Sequence, residues 1–182
     1  MSHSLLENSL SVEKYHIIKG CSALCGNSKE QHVYDDSEIN TPEIQKYIKT
    51  HRWDDSGCYD LWIDSFELKK WSIDDVIKIK DTWGKRSHYF ENNGFNLVCR
   101  INLIDLFDHP KIEQHDGYHK IKASDIDFDA VYNLVEKKKE IKSILEKIDY
   151  QNRDLLIYRS FTRSGYYGHA DYIDIFEQGE KS

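Results

Sequence analysis

The chain lacks long apolar runs and any recognisable export signal. Its longest apolar runs, such as Leu155 to Ile157, contain only a few residues, whereas a membrane-spanning helix needs about 20. The first residues, Met1 to Glu7, contain neither the basic nor the apolar region of a secretory signal. We therefore expect no membrane segment and a cytoplasmic location. A reducing compartment also predicts that the four cysteines are free thiols rather than disulfides.

The sequence also lacks the short motifs that identify several large enzyme classes. It has no Walker-type phosphate loop, no Gly-x-Gly-x-x-Gly, no His-Glu-x-x-His and no Gly-x-Ser-x-Gly. Cys21 and Cys25 are four residues apart, which is not the Cys-x-x-Cys spacing of redox proteins, and no second cysteine pair completes a zinc site. We expect no cofactor, and the absence of these motifs favours a protein that is not an enzyme.

Acidic and aromatic side chains are what the chain has in abundance. It contains twelve Tyr and four Trp at a formal net charge of −7. Such a composition suits the capture of a basic protein, because opposite charges steer the encounter and rings supply contact area at a low entropic cost. The alternative is that the rings simply fill strands and cores. The acidic balance disfavours duplex DNA, since the chain has no overall field that attracts phosphates.

Length and patterning predict one α+β domain over residues 11–182, after a frayed segment at residues 1–10. We expect a mixed or antiparallel sheet with hairpins, packed by one long amphipathic helix and one or two shorter helices. Thr41 and Pro42 mark the start of one shorter helix. Residues 72–81 fit either a capped helix or a strand. The predicted strands include 15–19, 31–34, 59–68, 154–162 and 172–176.

Two hairpins and the long helix complete the predicted fold. Asn92-Asn93-Gly94 is typical of a tight turn and predicts a hairpin between residues 88–91 and 95–103. His115-Asp116-Gly117 predicts a second hairpin. A stripe of apolar residues from Val131 to Ile148 predicts a helix over about 128–148, with charged residues on its other side. The apolar alternation around Cys99 predicts that this thiol is buried.

Two weak catalytic or metal sites follow from local patterns. Asp60, Glu67 and Lys69 are the residue types of a magnesium-dependent nuclease, in which carboxylates hold the metal and a lysine activates water. The alternative is chance, because 31% of the chain is charged. Histidines around the second predicted turn are a weak metal site, or more simply a surface patch. These histidines are His109, His115 and His119.

The segment from residue 159 to residue 169 concentrates basic, hydroxyl and aromatic side chains. Alternation places Arg159 and Arg163 on one strand face, where two guanidinium groups are able to bind a phosphate. The alternative is that these arginines pair with acids such as Asp154, Asp171 and Asp174. The predicted ligand residues are Arg159, Arg163, Tyr166, Tyr167 and His169.

The leading functional hypothesis is a small protein-binding module, of the kind exemplified by an immunity protein or an inhibitor of a basic toxin nuclease. Its predicted contacts are exposed acids and rings. The first alternative is an enzyme acting on a nucleotide or nucleic acid through Arg159 and Arg163, and the second is a ligand-sensing domain. The predicted partner contacts are Trp53, Asp54, Asp55, Asp60, Asp171 and Tyr172, with Tyr166 and Tyr167 shared between the two hypotheses.

Overall fold

The computed structural model describes residues 12–20, 32–51, 61–83, 86–106, 113–115, 118–120, 133–164 and 168–179. Contacts within the chain define two compact units, with the division after Lys69. Both units combine helices with strands, which confirms the α+β class. No helix in the described ranges is long and apolar enough to cross a membrane. The predicted frayed segment at residues 1–10 lies outside the described residues.

The first unit is an antiparallel sheet with helices on one face. Strand β1 (Glu13–Gly20) lies between β2 (Val33–Asp35) and β3 (Leu61–Lys69) and pairs antiparallel with both. The strands predicted near residues 15, 33 and 63 are therefore confirmed. Ile18 and Leu61 on one face of the sheet form a hydrophobic cluster with residues of the two helices. The elements are β1 (Glu13–Gly20), β2 (Val33–Asp35), α1 (Asp36–Ile39), α2 (Pro42–His51) and β3 (Leu61–Lys69).

Helix α2 begins at Pro42, as predicted, because proline at a first helical position loses no hydrogen bond. The Thr41 main-chain oxygen accepts the first helical bond from Gln45 at 3.0 Å. The Thr41 hydroxyl, expected to accept from the new helix, instead donates to the Glu38 carbonyl oxygen at 2.9 Å. A single residue thus serves the end of α1 and the start of α2. The buried face of α2 consists of Ile44, Tyr47 and Ile48.

The second unit is built around the antiparallel pair β8–β9, which matches the predicted strands near residues 154–162 and 172–176. Strand β4 joins β8 in parallel, while β5 and β7 pair with β9 and β6 pairs with β7, all antiparallel. The sheet is therefore mixed. Its strands are β4 (Asp81–Trp83), β5 (Phe95–Asn102), β6 (Glu113–His115), β7 (Tyr118–Lys120), β8 (Leu155–Ser164) and β9 (Gly168–Gln178).

Helices cover both faces of the β8–β9 pair. On one face, Ile157 and Ile173 belong to a hydrophobic cluster with Ile141 and Leu145 of α5. On the other face, Phe90 of α4 contacts the rings of Phe95, Tyr158 and Phe176 at centroid distances of 5.4 to 5.6 Å. The helices of this unit are α3 (Ile73–Ile77), α4 (Ser87–Asn92) and α5 (Lys138–Glu146), with 3-10 turns at Leu103–Leu106, Leu134–Lys137 and Tyr150–Asn152.

The open question over residues 72–81 is answered by helix α3 followed by strand β4. The Ser72 hydroxyl accepts from the Asp75 amide at 3.1 Å, which is an N-cap interaction. The helix ends after one turn, and Val76 is its buried residue. The capping motif therefore predicted the helix in the first half of this segment. The alternating apolar pattern, which favoured a strand, did not predict the structure there.

The predicted hairpin across Asn92-Asn93-Gly94 is wrong. Residues 87–92 form α4, and β5 pairs with β9 instead. Asn93 and Gly94 end the helix: the Asn93 side chain donates to the Tyr89 carbonyl oxygen at 2.7 Å, and Gly94 has a positive φ of 86°. Helix C-termini and tight hairpins both require such residues, so the turn signal did not discriminate between them.

The single long helix over about 128–148 is not confirmed, because the described part is a 3-10 turn and the nine-residue helix α5. The Asn133 side chain caps the turn by accepting from the Val135 amide at 3.1 Å. Val135, expected in the apolar stripe, is 61% exposed. The segment ends where Asp149 adopts a left-handed conformation. Residues 128–132 lie outside the described part of the chain.

Two other β predictions have clear outcomes. The hairpin across residues 116–117 is confirmed, with His115 opposite Tyr118. Cys99 is free, and burial raises the pKa of its thiol, but it is only partly buried. A shift in register between Leu97 and Cys99 breaks the alternation of β5 and leaves Leu97 exposed.

We predict that Ile141→Ala lowers the free energy of unfolding by about 2–5 kcal/mol, because the fully buried side chain leaves a cavity between α5 and the sheet. Val135→Ala, in the adjoining exposed turn, is the control and should change stability little. Chemical denaturation of both variants makes the comparison. Equal stabilities would show that α5 does not organise this core.

Candidate functional site

A row of polar side chains crosses the sheet of the first unit. Tyr34 of β2, His16 of β1 and Ser65 of β3 occupy directly opposite positions in the two strand ladders. Opposite residues of antiparallel strands share a face and lie close enough for side-chain contact. The row is on the face that carries Ile18 and Leu61, so it borders the hydrophobic cluster under the helices. The His16 side chain is 13% exposed, and Ser65 is exposed.

Helix α1 brings a carboxylate to this row. Strand β2 ends at Asp35, whose carboxylate caps α1 by accepting from the Glu38 amide at 2.8 Å. The next residue, Asp36, then reaches back to His16, with 2.6 Å between Asp36 Oδ1 and His16 Nε2. On the other side of the ring, His16 Nδ1 lies 2.8 Å from Ser65 Oγ. Serine, imidazole and carboxylate thus form one continuous chain of hydrogen bonds.

The carboxylate decides how the neutral imidazole is protonated. An ionised carboxylate only accepts hydrogen bonds, so Asp36 requires the ring proton on Nε2. The lone pair of the neutral ring is then on Nδ1, facing Ser65, and the serine hydroxyl donates to it. The direction of the chain is therefore from Ser65 through His16 to Asp36, which is the order in which a base-assisted serine loses its proton.

Charged and apolar residues flank Ser65 along the same face of β3. In the next row towards one end, Lys14 is opposite Glu67, and Glu67 forms an ion pair of 3.0 Å with Lys69. In the next row towards the other end, Ile63 is exposed opposite the buried Ile18. Glu67 and Lys69 of the predicted nuclease set are thus together, while Asp60 is outside the described residues. No cluster of three potential metal ligands occurs within the described ranges.

Acidic residues concentrate around α1. We use the name acidic segment for Asp35, Asp36, Glu38 and Glu43, a stretch of the chain without Lys or Arg. Hydrogen bonds from the Glu38 amide and from Ser37 lower the pKa of Asp35, so its carboxylate stays ionised. Burial is the main cause that raises the pKa of Tyr34 to about 12, and its electrostatic interactions with Tyr47, Glu38 and Glu43 raise it further. The two glutamates thus lie close enough to Tyr34 to affect the ionisation of its hydroxyl.

A second polar network lies in the β5–β9–β8 sheet of the second unit. The Asp174 carboxylate is almost completely buried. It accepts from Arg100 Nε at 2.5 Å and from the Tyr158 hydroxyl at 3.1 Å. Arg100, 41% exposed, also lies over the Tyr172 ring at 5.3 Å. Burial, followed by the charge of Asp174, raises the pKa of Tyr158. The buried negative charge of Asp174 is thus paired with the guanidinium group of Arg100, which is partly exposed to solvent.

The predicted phosphate-binding arginine is mostly inside the second unit. Arg159 is 8% exposed, opposite Ile173 on the face that packs against α5. Asp171, expected as an exposed partner contact, has no exposed surface and lies in the adjacent row of that face. Of the acids considered as ion-pair partners for Arg159, Asp174 binds Arg100 and Asp154 lies 3.8 Å from Lys70. Only the strand positions of Arg163 and His169 are described, and they are opposite each other.

The remaining predicted site residues are in part outside the described structure. In the β6–β7 ladder, His115 is opposite Tyr118 and His119 is opposite Gln114, so the two histidines are not paired in register. His119 is instead opposite His169 of β9. Tyr172 is partly buried. The predicted residues outside the described ranges are Trp53, Asp54, Asp55, Asp60, His109, Tyr166 and Tyr167.

Sequence reasoning missed the Ser65–His16–Asp36 chain. None of its three residues is among the site residues that the sequence predicts. Asp36 and Ser65 lie 20 and 49 positions after His16 in the sequence, so no local motif joins the three residues. The available signal was that His16 and Ser65 both lie in predicted strands, over residues 15–19 and 59–68. That prediction does not specify the register in which the two strands pair.

Comparisons with known proteins give no assignment. No protein-family model matches the chain, and neither a curated protein nor a solved structure shows significant similarity to it.

We predict that Arg100→Ala lowers the free energy of unfolding by about 1.5–3 kcal/mol, because Asp174 then keeps a buried charge without its charged donor. Lys70→Ala, which removes an exposed pair with Asp154, should cost nothing measurable. Thermal and denaturant melts of both variants measure the difference. Comparable losses would mean that burial of Asp174 does not depend on Arg100.

Proposed function

We propose that this chain is a protein-binding module that captures a basic protein partner through the acidic segment of its first unit. An immunity protein or an inhibitor of a basic toxin nuclease is the kind of protein that this proposal describes. The observation that carries it is the uneven distribution of charge.

Negative charge is concentrated in the first unit. Residues 1–69 contain twelve Asp and Glu against seven Lys and Arg, a net charge of −5, whereas residues 70–182 contain twenty against eighteen, a net charge of −2. The smaller unit thus carries most of the total of −7. A surface of one sign attracts a partner of the opposite sign over about a Debye length, roughly 10 Å at 0.1 M salt.

The acidic segment offers this charge on a fixed backbone. Asp36, Glu38 and Glu43 are exposed. Helix α1 is held by the Asp35 cap, and Thr41 links its end to α2. Carboxylates held in position need little ordering when a partner binds, which lowers the entropic cost of association.

The competing proposal of a nucleotide-binding enzyme has less support. It requires Arg159 to bind a phosphate group. However, Arg159 is only 8% exposed, and it lies on the same face of β8 as Ile157, which belongs to the hydrophobic cluster. This burial favours a structural role for Arg159. The protein-binding proposal has no such conflict, because its central acids are at the surface.

We expect Glu38→Lys together with Glu43→Lys to slow association with a basic partner on the order of tenfold at low salt, because the reversed charges remove electrostatic steering. The partner is first retained on the immobilised full chain at 50 mM salt, identified by mass spectrometry and purified. Association and dissociation rates are then measured by biolayer interferometry at 50 and 500 mM salt. Raising the salt should slow association of the unaltered chain and have a smaller effect on dissociation.

Asp74→Lys together with Asp75→Lys is the control, because these two acids, like Glu38 and Glu43, are exposed and lie in the first turn of a helix, but in the second unit. Its association rate should stay within about twofold of the unaltered chain. If both double variants lose the same factor, only total charge matters and the acidic segment is not the contact. A purified partner that is acidic, or that binds equally fast at both salt concentrations, contradicts the proposal.

A further inference from the structure

We infer that Ser65 is a base-activated nucleophile, and that the first unit reacts covalently with small activated esters at this side chain. The inference goes beyond partner binding and does not rest on it. It depends on the Ser65–His16–Asp36 chain, whose three groups come from β3, β1 and α1.

The geometry meets the requirements of an assisted nucleophile. The serine oxygen and the imidazole nitrogen are 2.8 Å apart, and the second imidazole nitrogen is 2.6 Å from a carboxylate oxygen. Both distances are within the range for proton transfer between a nucleophile, its base and the group that orients the base. Such an arrangement is recognised by its distances and roles rather than by the order of the residues in a sequence.

The differences in exposure are those that the chemistry needs. Ser65 is exposed, so an electrophile is able to reach its hydroxyl. The His16 side chain is 13% exposed, and its two ring nitrogens already have partners, which limits competition from water. Tyr34, in register on β2, and the ladder to β3 hold β1 from both sides. The base is therefore positioned by the sheet, while the nucleophile faces solvent.

The reaction is balanced without a cofactor. Ser65 Oγ attacks the acyl carbon of an ester as its proton passes to His16 Nδ1. The bond between the acyl carbon and the leaving oxygen breaks, and that oxygen takes the bonding electron pair and then the proton from His16. The products are an acyl-serine and the free alcohol or phenol. Water attacking the acyl carbon in a second round, with the same base, regenerates the serine and releases the acid.

The neighbouring side chains favour one class of substrate. On β3, exposed Ile63 lies two residues from Ser65 on the same face, and the row on the other side contains Lys14 and Glu67. An ester with a short apolar acyl group fits this surface, since the acyl chain gains contact with Ile63. Long polymeric substrates have no comparable support from the described residues.

The test uses a fluorescent fluorophosphonate on the folded, full-length chain. In the expected reaction, Ser65 Oγ forms a bond to phosphorus, fluoride leaves, and the hydroxyl proton passes to His16. Peptide mass spectrometry should locate one adduct per chain at Ser65. Ser65→Ala should abolish that adduct. His16→Gln should slow labelling at least 100-fold, because general base assistance is worth about 10² or more. A p-nitrophenyl acetate burst of one equivalent should follow the same order.

Ser37→Ala is the matched control, because Ser37 is also exposed and donates to a carboxylate, Asp35 at 2.7 Å, without an imidazole between them. It should label at the rate of the unaltered chain. If circular dichroism shows that His16→Gln is unfolded, Asp36→Asn decides, and it should slow labelling at least tenfold. Absence of an adduct at Ser65 in the folded chain, or unchanged labelling in the folded His16 and Asp36 variants, overturns the inference.

Discussion

The antiparallel pairing of β8 with β9 is the interaction on which the second unit depends. Residues 155–160 of β8 and 173–176 of β9 are buried on both faces, so each face must be covered by other parts of the chain. Helix α5 supplies aliphatic side chains on one side, and α4 supplies the Phe90 ring on the other. Strands β4, β5 and β7 attach to the edges of this pair, and β6 attaches to β7. The buried charge of Asp174 is accommodated by hydrogen bonds from Arg100 and Tyr158. In the first unit, β1 has a comparable central position between β2 and β3.

Local signals predicted the elements better than their partners. Periodicity identified β1, β8 and β9, and proline chemistry identified the start of α2, because these signals depend on a few adjacent residues. The hairpin before β5 was wrong because Asn93 and Gly94 satisfy a helix end as well as a turn. The apolar stripe over 128–148 suggested one continuous helix, whereas Asn133 caps a 3-10 turn and exposes Val135. In both cases a capping interaction, which requires the actual backbone, decided the outcome.

The candidate site shows the same limit more strongly. The composition predicted an acidic surface. Most of the net negative charge belongs to the first unit, which favours that unit as the location of this surface. The individual contacts expected around residues 53–60 lie outside the described ranges. The serine chain was not foreseen, because it depends on the register of β1 with β3 and on the start of helix α1 at Asp35. A shift of β3 by one residue would place Ser65 on the opposite face. The strand register therefore decides which polar side chains lie side by side. That register is set by contacts between segments that are distant in the sequence.

The contact between Gly179 and Gly94 has a consequence for how this protein is able to vary in sequence. The Gly179 amide donates to the Gly94 carbonyl oxygen at 2.7 Å, which ties the residue after β9 to the end of α4. A Cβ atom at position 179 would lie only 2.5 Å from that oxygen. Gly94 has a positive φ that other residues rarely adopt. Each glycine thus restricts the backbone to which the other is bound. A side chain at position 179 would collide with the Gly94 oxygen, and a side chain at position 94 would have to adopt the positive φ, so homologous chains with this fold should keep both glycines.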